Sequence, residues 1–437
     1  MSPTVADSRR EWPQTTATPD ARGHTPGPDG ADRPGEAQAS QLSSRPSRHR
    51  IAFWLLAFVF AATMFGTTLP TPLYVIYQAR WHFSAAMVTM IFAVYAAAVL
   101  AALLLAGRSS DQAGRKPVLA VALVAAALST VAFILAPNEW ALLAGRVLSG
   151  LGAGLMTGTA TAALTELVPA TAGRRASLVA TAANMGGLGL GPLIAGLFAQ
   201  YAPHPTTLVF EAYLAVLAAA GGCLMFIPET VSRRHRPALR FAGLGIPERG
   251  RGQFIAAAVA AFAAFALLGL FSSLVPGFLG GVLHQGSHAV QGAVVFCMFA
   301  VGTITQVAVS RFPSRRVVLA GLGLFLASLA LILTALAQAA MGLFLAGTAA
   351  GGVAAGAIFL GSLATASHLA PPERRGHVVS TFFVACYAGL IIPVVGVGLL
   401  SGVTGTFPAV LAFALLLAIL CVYSLARTTT TATRSKR

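Results

Sequence analysis

Gly107-Arg108-Ser109-Ser110-Asp111-Gln112-Ala113-Gly114-Arg115-Lys116 separates two long apolar runs, 83–106 and 117–136. One acid, three basic side chains and two glycines crowd this turn. Charge so dense at the edge of hydrocarbon is costly unless it does something. Each flanking run exceeds or matches the ~20 residues that a helix needs to cross a bilayer. The turn therefore reads as a connection between two membrane-spanning helices.

The same pattern extends along the chain. Apolar stretches of spanning length fall near 51–72, 83–106, 117–136, 141–166, 176–200, 207–228, 254–283, 289–310, 317–337, 341–367, 378–400 and 406–426. Of 437 residues 56% are hydrophobic and only 10% charged, with mean hydropathy +0.77. A soluble domain carries roughly 25% charged residues, so a bilayer is the solvent. Membrane β-strands would alternate in polarity over ~10 residues, and these runs do not. The expected fold class is an all-α membrane protein of twelve transmembrane helices.

The net charge of +16 follows from topology, not from nucleic-acid binding. If each span reverses the chain, twenty-seven basic residues, seven of them in the leading tail, lie on one set of connections and tails, and one, Arg80, lies on the other. Such asymmetry marks the basic side as cytoplasmic. Both termini are expected there, in a multi-pass protein of the plasma membrane. Residues 1–50 are rich in Pro, Ser, Thr, Gly and Arg. They read as a disordered cytoplasmic tail, and 428–437 as a second, short one. Cys223, Cys297, Cys386 and Cys421 all fall inside spans without metal or disulfide spacing, so they read as small apolar residues.

The chain repeats itself. Residues 144–169 align without a gap on 346–371, matching at Ala144, Gly145, Gly150, Ala153, Gly154, Ala162, Leu167 and Pro169. Arg174-Arg175 then meets Arg374-Arg375, and Pro192 meets Pro393. Spans 4 and 5 thus correspond to spans 10 and 11. The organisation expected is two pseudo-symmetric six-helix bundles, 51–228 and 253–427, joined by a basic linker, 229–252.

Twin six-helix halves, a basic central loop and the charged turn between spans 2 and 3 resemble the major facilitator superfamily over 51–427. The family's turn signature is matched by Gly107, Asp111, Gly114, Arg115 and Lys116, with Arg108 beside it and Gln112 where Arg is usual. The resemblance implies a gating role, Asp111 and its basic neighbours holding span 11 of the other half when the carrier faces outward. The alternative is that these charges only fix topology. Within span 5, Gly187, Gly191, Pro192 and Gly196 resemble a pattern that the superfamily associates with drug–proton antiporters. Their spacing also strips one helix face of side chains and permits close packing.

Proton coupling requires titratable groups inside the membrane, and there are few. Arg146 in span 4, followed by Gly150, resembles the span 4 arginine of antiporters. Glu211 in span 6 lies at similar depth, so the two are expected as a proton-coupling pair; the alternative is that both reach to the outer interface. Glu166, ending span 4, is placed to pair with Arg174 or Arg175. Polar and aromatic side chains in apolar spans are the substrate candidates: Tyr74, Tyr95, Asn184, Tyr213, Gln306 and Tyr387, with Thr67 and Thr68 beside them. A cavity of Phe, Leu, Met and Ala suits an amphiphilic, drug-like molecule better than a sugar.

Neither Lys116 nor Lys436 ends a phosphate-binding loop, and no H-E-x-x-H occurs. Neither ATP hydrolysis nor zinc proteolysis is expected, and the reading requires no metal or cofactor. The expected protein is a monomeric, proton-coupled exporter of small amphiphilic compounds, its partners being that substrate, protons and the bilayer. An uptake symporter for a small metabolite or sugar is the runner-up, and a membrane-embedded enzyme or scaffold a remote alternative.

Overall fold

The computed structural model describes residues 34–106, 109–231, 243–371 and 374–434. Contacts divide the chain into Met1–Pro46 and Ser47–Arg437. Most of the expected tail, 1–33, lies outside the described residues, but helix is already present from Pro34. Pro34 suits a first helical turn, and the Glu, Ala and Gln that follow it carry good helix propensity.

Twelve helices among the described residues are long and apolar enough to span a membrane. They are α1 (His49–Trp81), α2 (Ala85–Leu105), α3 (Arg115–Ile134), α4 (Glu139–Glu166), α5 (Gly173–Tyr201), α6 (Pro205–Phe226), α7 (Arg251–Ser273), α8 (His288–Val309), α9 (Ser314–Gln338), α10 (Met341–Leu369), α11 (Arg375–Thr404) and α12 (Thr406–Thr429). The last helix continues to Arg434, through most of the segment expected as a tail.

Two of the spans are broken where sequence alone reads them as continuous. α1 is interrupted at Leu69, before Pro70 and Pro72. Span 7 stops at Ser273 and resumes as a short helix, Val275–Gly281, with Pro276 in its first turn. Proline lacks the N–H that an unbroken helix would donate four residues back. The two breaks stand at corresponding places in the two halves.

Buried side chains form two clusters, one built mainly on α1–α6 and the other mainly on α7–α12. The halves repeat in detail. Ser129 of α3 donates to the Gly145 carbonyl of α4 at 2.7 Å, and Ser328 of α9 donates to the Gly347 carbonyl of α10 at 2.8 Å. The halves meet chiefly where α2 packs on α11 and α5 packs on α8, two pairings that the repeat interchanges.

Close approach at that seam needs glycine. A Cβ at Gly398 of α11 would run into the Thr89 side chain of α2, and one at Gly292 of α8 into the Pro192 carbonyl of α5. The small residues of span 5 therefore serve two partners. Gly187 and Gly191 face α1, at Ala61, Met64 and Phe65, while Pro192 and Gly196 face Gly292 in the opposite half.

Candidate functional site

Between the halves lies a cavity of about 380 Å³. It runs toward the end of the bundle that carries the arginine-rich connections, where Leu103, Thr161, Ser177, Leu363 and Phe383 line it. Thr161 and Ser177 are exposed there, and one exposed bond, from Arg174 to the Ser310 hydroxyl at 3.0 Å, joins α5 to the end of α8. At the other end the cavity stops at Thr68, Ser272 and Leu390.

The seal at that end comes from the helix breaks. Pro276 cannot donate to the Ser272 carbonyl, and Thr71, in the break of α1, donates to it instead at 3.0 Å. The His288 backbone also donates to the Gln200 side chain at 3.0 Å, α8 to α5. Beyond the seal is a separate recess of about 280 Å³, with Tyr74, Gln78, Ser273, Ser401 and Thr406 among its walls. The conformation is closed at this end and accessible from the arginine-rich end.

Of the six expected substrate contacts, Tyr95, Asn184, Gln306 and Tyr387 line the central cavity. The other two do not. Tyr74 lines the outer recess. Tyr213 packs its ring on Gly66 and donates to the Thr63 carbonyl at 3.4 Å, holding α6 to α1. An aromatic nest that sequence reading missed lies on the second-half side. Phe359 is 5.3 Å from Phe265 and 6.4 Å from Phe383, and Phe265 is 6.1 Å from Tyr387. Only scattered phenylalanines, far apart in sequence, could have signalled it.

Arg146 is 1% exposed. Its Nε donates to the Tyr74 hydroxyl at 2.6 Å and its Nη1 to the Thr67 carbonyl, in the last turn before the α1 break. Its guanidinium carbon lies 5.4 Å from the Tyr74 ring, 5.3 Å from Tyr95 and 5.8 Å from Phe133. This aromatic cage satisfies the cation without a carboxylate. The expected partner, Glu211, is exposed. Its neighbour Phe210 is the residue that turns inward, stacking on Phe133 at 5.1 Å. The Arg146–Glu211 pair is not formed in this conformation, because ~100° of helical turn per residue puts Phe210, not Glu211, on the buried face of α6.

In the charged turn, Gly107 and Arg108 lie outside the described residues, as does the side chain of Asp111 with its expected contact to span 11. Gly114 has φ of 97°, a backbone that glycine adopts freely, and a Cβ there would lie 2.6 Å from Glu229 Oε2. Glu229 accepts from the backbone N–H of Arg115 at 2.7 Å and of Lys116 at 3.1 Å, capping the otherwise unsatisfied start of α3. Arg115 pairs with Glu166 at 2.7 Å and donates to the Ser110 hydroxyl at 2.5 Å. Glu166 thus meets Arg115, not the expected Arg174 or Arg175. Lys116 donates to the Met225 carbonyl at 2.8 Å. These bonds tie α3, α4 and the end of α6 together inside the first half.

No group of His, Cys, Asp and Glu suited to a metal occurs among the described residues. The four cysteines are free, Cys386 and Cys421 buried in apolar surroundings.

Comparison with known proteins agrees with this architecture. A family model described as Major Facilitator Superfamily matches residues 56–312. Multidrug resistance protein MdtL of Escherichia coli O139:H28 is 46% identical over 74 residues, 16% of this chain. That match spans only 18% of MdtL's length, and the same holds for MdtL of Shigella boydii serotype 18. Among solved structures, the human organic anion transporter MFSD10 (TETRAN) superposes with a TM-score of 0.63 at 17% identity, covering 86% of this chain and 99% of that one. A bacterial homolog of the human lysosomal transporter Spinster, inward-facing and occupied, superposes with a TM-score of 0.65 at 15% identity, covering 92% and 98%. Twelve spans in twin halves around a central cavity, with the family match over more than half of the sequence, make this multi-pass membrane protein a transporter and not an enzyme, and the chain belongs to the Major Facilitator Superfamily.

Proposed function

We propose that this protein exports small amphiphilic organic compounds across the plasma membrane by alternating access, drawing on the protonmotive force. The observation that carries the proposal is the central cavity: aromatic and hydroxyl-bearing, between the two halves, sealed at one end by Thr71 and Ser272 and accessible at the other. The arginine-rich end is the cytoplasmic one by charge asymmetry, so the conformation is the loading state of an exporter working as a monomer. The small-residue face of α5 supports the exporter reading, since Pro192 and Gly196 form the seam that must open toward the outside. The short MdtL match points the same way.

In this reading the charged turn is the cytoplasmic gate. Arg115 pairs with Glu166 and Lys116 bonds the end of α6, and Asp111 is the group that engages span 11 when the cytoplasmic side closes. Such a contact must be worth only a few kcal/mol, or the carrier could not switch. Proton coupling, if carried by Arg146 and Glu211, needs a conformation other than this one. The test is substrate flux in proteoliposomes over a panel of drugs and metabolites, with pH gradients of either sign. Export of amphiphiles accelerated by an inward proton gradient supports the proposal. Accumulation of a sugar or polar metabolite under that gradient would replace it with the symporter reading.

A further inference from the structure

The two sides of the cavity differ in charge. Among the described residues none of the lining side chains is ionised. One ring behind the first-half wall, however, stands the guanidinium of Arg146, 5.3 Å from the centre of Tyr95. Tyr95 itself lines the cavity. The repeat puts Thr348 at the corresponding place in α10, and its hydroxyl simply donates to the Phe344 carbonyl at 2.8 Å. The charge therefore belongs to one wall.

Among the described residues no carboxylate pairs with it. The polar partners of Arg146 are a phenol and a carbonyl, both uncharged. By sequence, Glu211 is the one carboxylate away from the ends of the twelve spans, and it is exposed. The cage satisfies the donors of Arg146 but leaves its net charge, and in a low-dielectric interior that charge projects its field farther than it would through water. On the opposite side, Phe265, Phe359, Phe383 and Tyr387 offer an uncharged aromatic surface. At the cytoplasmic mouth the starts of α5 and α11 carry exposed Arg174, Arg175 and Arg375, which raise the local concentration of anions, while Arg374 pairs with Glu248 at 3.4 Å.

We propose that the carried molecule is an amphiphilic organic anion. Its carboxylate or sulfonate head faces the Tyr95–Asn184 wall in front of Arg146, and its apolar body lies against Phe359 and its aromatic neighbours. The assignment rests on the exporter reading above and names its substrate class. A unit charge ~10 Å from the guanidinium, at an effective dielectric of ~20, changes occupancy roughly tenfold. An anion and a cation of equal shape then differ about a hundredfold.

A matched series tests this: naphthalene-2-sulfonate, naphthalene-2-sulfonamide and 2-naphthyltrimethylammonium, which share a ring system and carry negative, zero and positive charge. Binding is measured by calorimetry on the full chain in detergent, and flux of the two charged probes in proteoliposomes. The expected order is sulfonate about tenfold tighter than sulfonamide, with ammonium weakest. Arg146→Gln should flatten the order and Arg146→Lys should keep it. If Arg146→Gln does not fold, the order in the unaltered protein still decides. Ammonium binding as tightly as sulfonate, or an unchanged order in folded Arg146→Gln, overturns the assignment. Carriage of the ammonium but not the sulfonate overturns it while leaving the exporter reading intact. Failure to bind or carry any of the three removes both.

Discussion

Arg146 donates to the hydroxyl of Tyr74 at 2.6 Å, tying the middle of the first bundle to the segment of α1 that follows its break. This buried bond joins the central cation to the wall of the outer recess, which Tyr74 lines. Tyr74→Phe removes the acceptor and leaves one guanidinium N–H unsatisfied at a site that excludes water. The expected cost is about 1–3 kcal/mol, read as a melting temperature lower by several degrees in detergent, with insertion retained. An unchanged melting temperature would show that the bond contributes nothing.

The cap on α3 gives a second test. Gly114→Ala forces a side chain into a backbone with φ of 97° and against Glu229. It should destabilise the protein by about 1–3 kcal/mol. Glu229→Gln should cost less, since an amide oxygen still accepts from Arg115 and Lys116 while the favourable charge at the helix start is lost. Thermal denaturation of both variants checks the order; a larger loss for Glu229→Gln would contradict it.

Closure at the outer end depends on glycine at the seam. Gly398→Val should wedge α11 from Thr89 and shift the population toward the outward-open state. With the four native cysteines replaced by serine, Asn184→Cys in the cavity is labelled by an impermeant maleimide. The reagent should react from the cytoplasmic side in the parent and from the outside once Gly398→Val is added. Labelling that stays on the cytoplasmic side would remove the assignment of this seam as a gate.

Glu211 is exposed on α6 while Phe210 fills the interior. Glu211→Gln is therefore expected to leave export within about twofold, surface changes being mild. Phe210→Ala, which empties a buried aromatic site against Phe133, should lower stability by about 3–5 kcal/mol. Loss of proton-dependent export in Glu211→Gln would return that residue to the coupling pathway.

Segment-scale hydropathy gave twelve spans, and arginine placement gave their alternation, because lipid and translocation act on whole segments. The register between 144–169 and 346–371 announced the twin halves, realised in the matched Ser129–Gly145 and Ser328–Gly347 bonds. Pro70 and Pro276 were visible as residues, but not the breaks they make or the Thr71–Ser272 bond across them. Asn184, Gln306, Tyr95 and Tyr387 were picked out by polarity in apolar runs, and polarity alone could not separate them from Tyr74 and Tyr213.

What the sequence by itself determined is everything set by local composition and repetition: the helices, their number, the basic side and the need for small residues on α5. Tertiary packing decided which face of each helix looks inward, and so put Phe210 rather than Glu211 beside the Arg146 cage. It also brought Glu229 to the start of α3 and Glu166 to Arg115, pairings between residues far apart in the chain. The physical reason is that a helix offers every face equally until a neighbour buries one, and a one-residue step rotates a side chain by ~100°. Only the assembled bundle fixes that rotation.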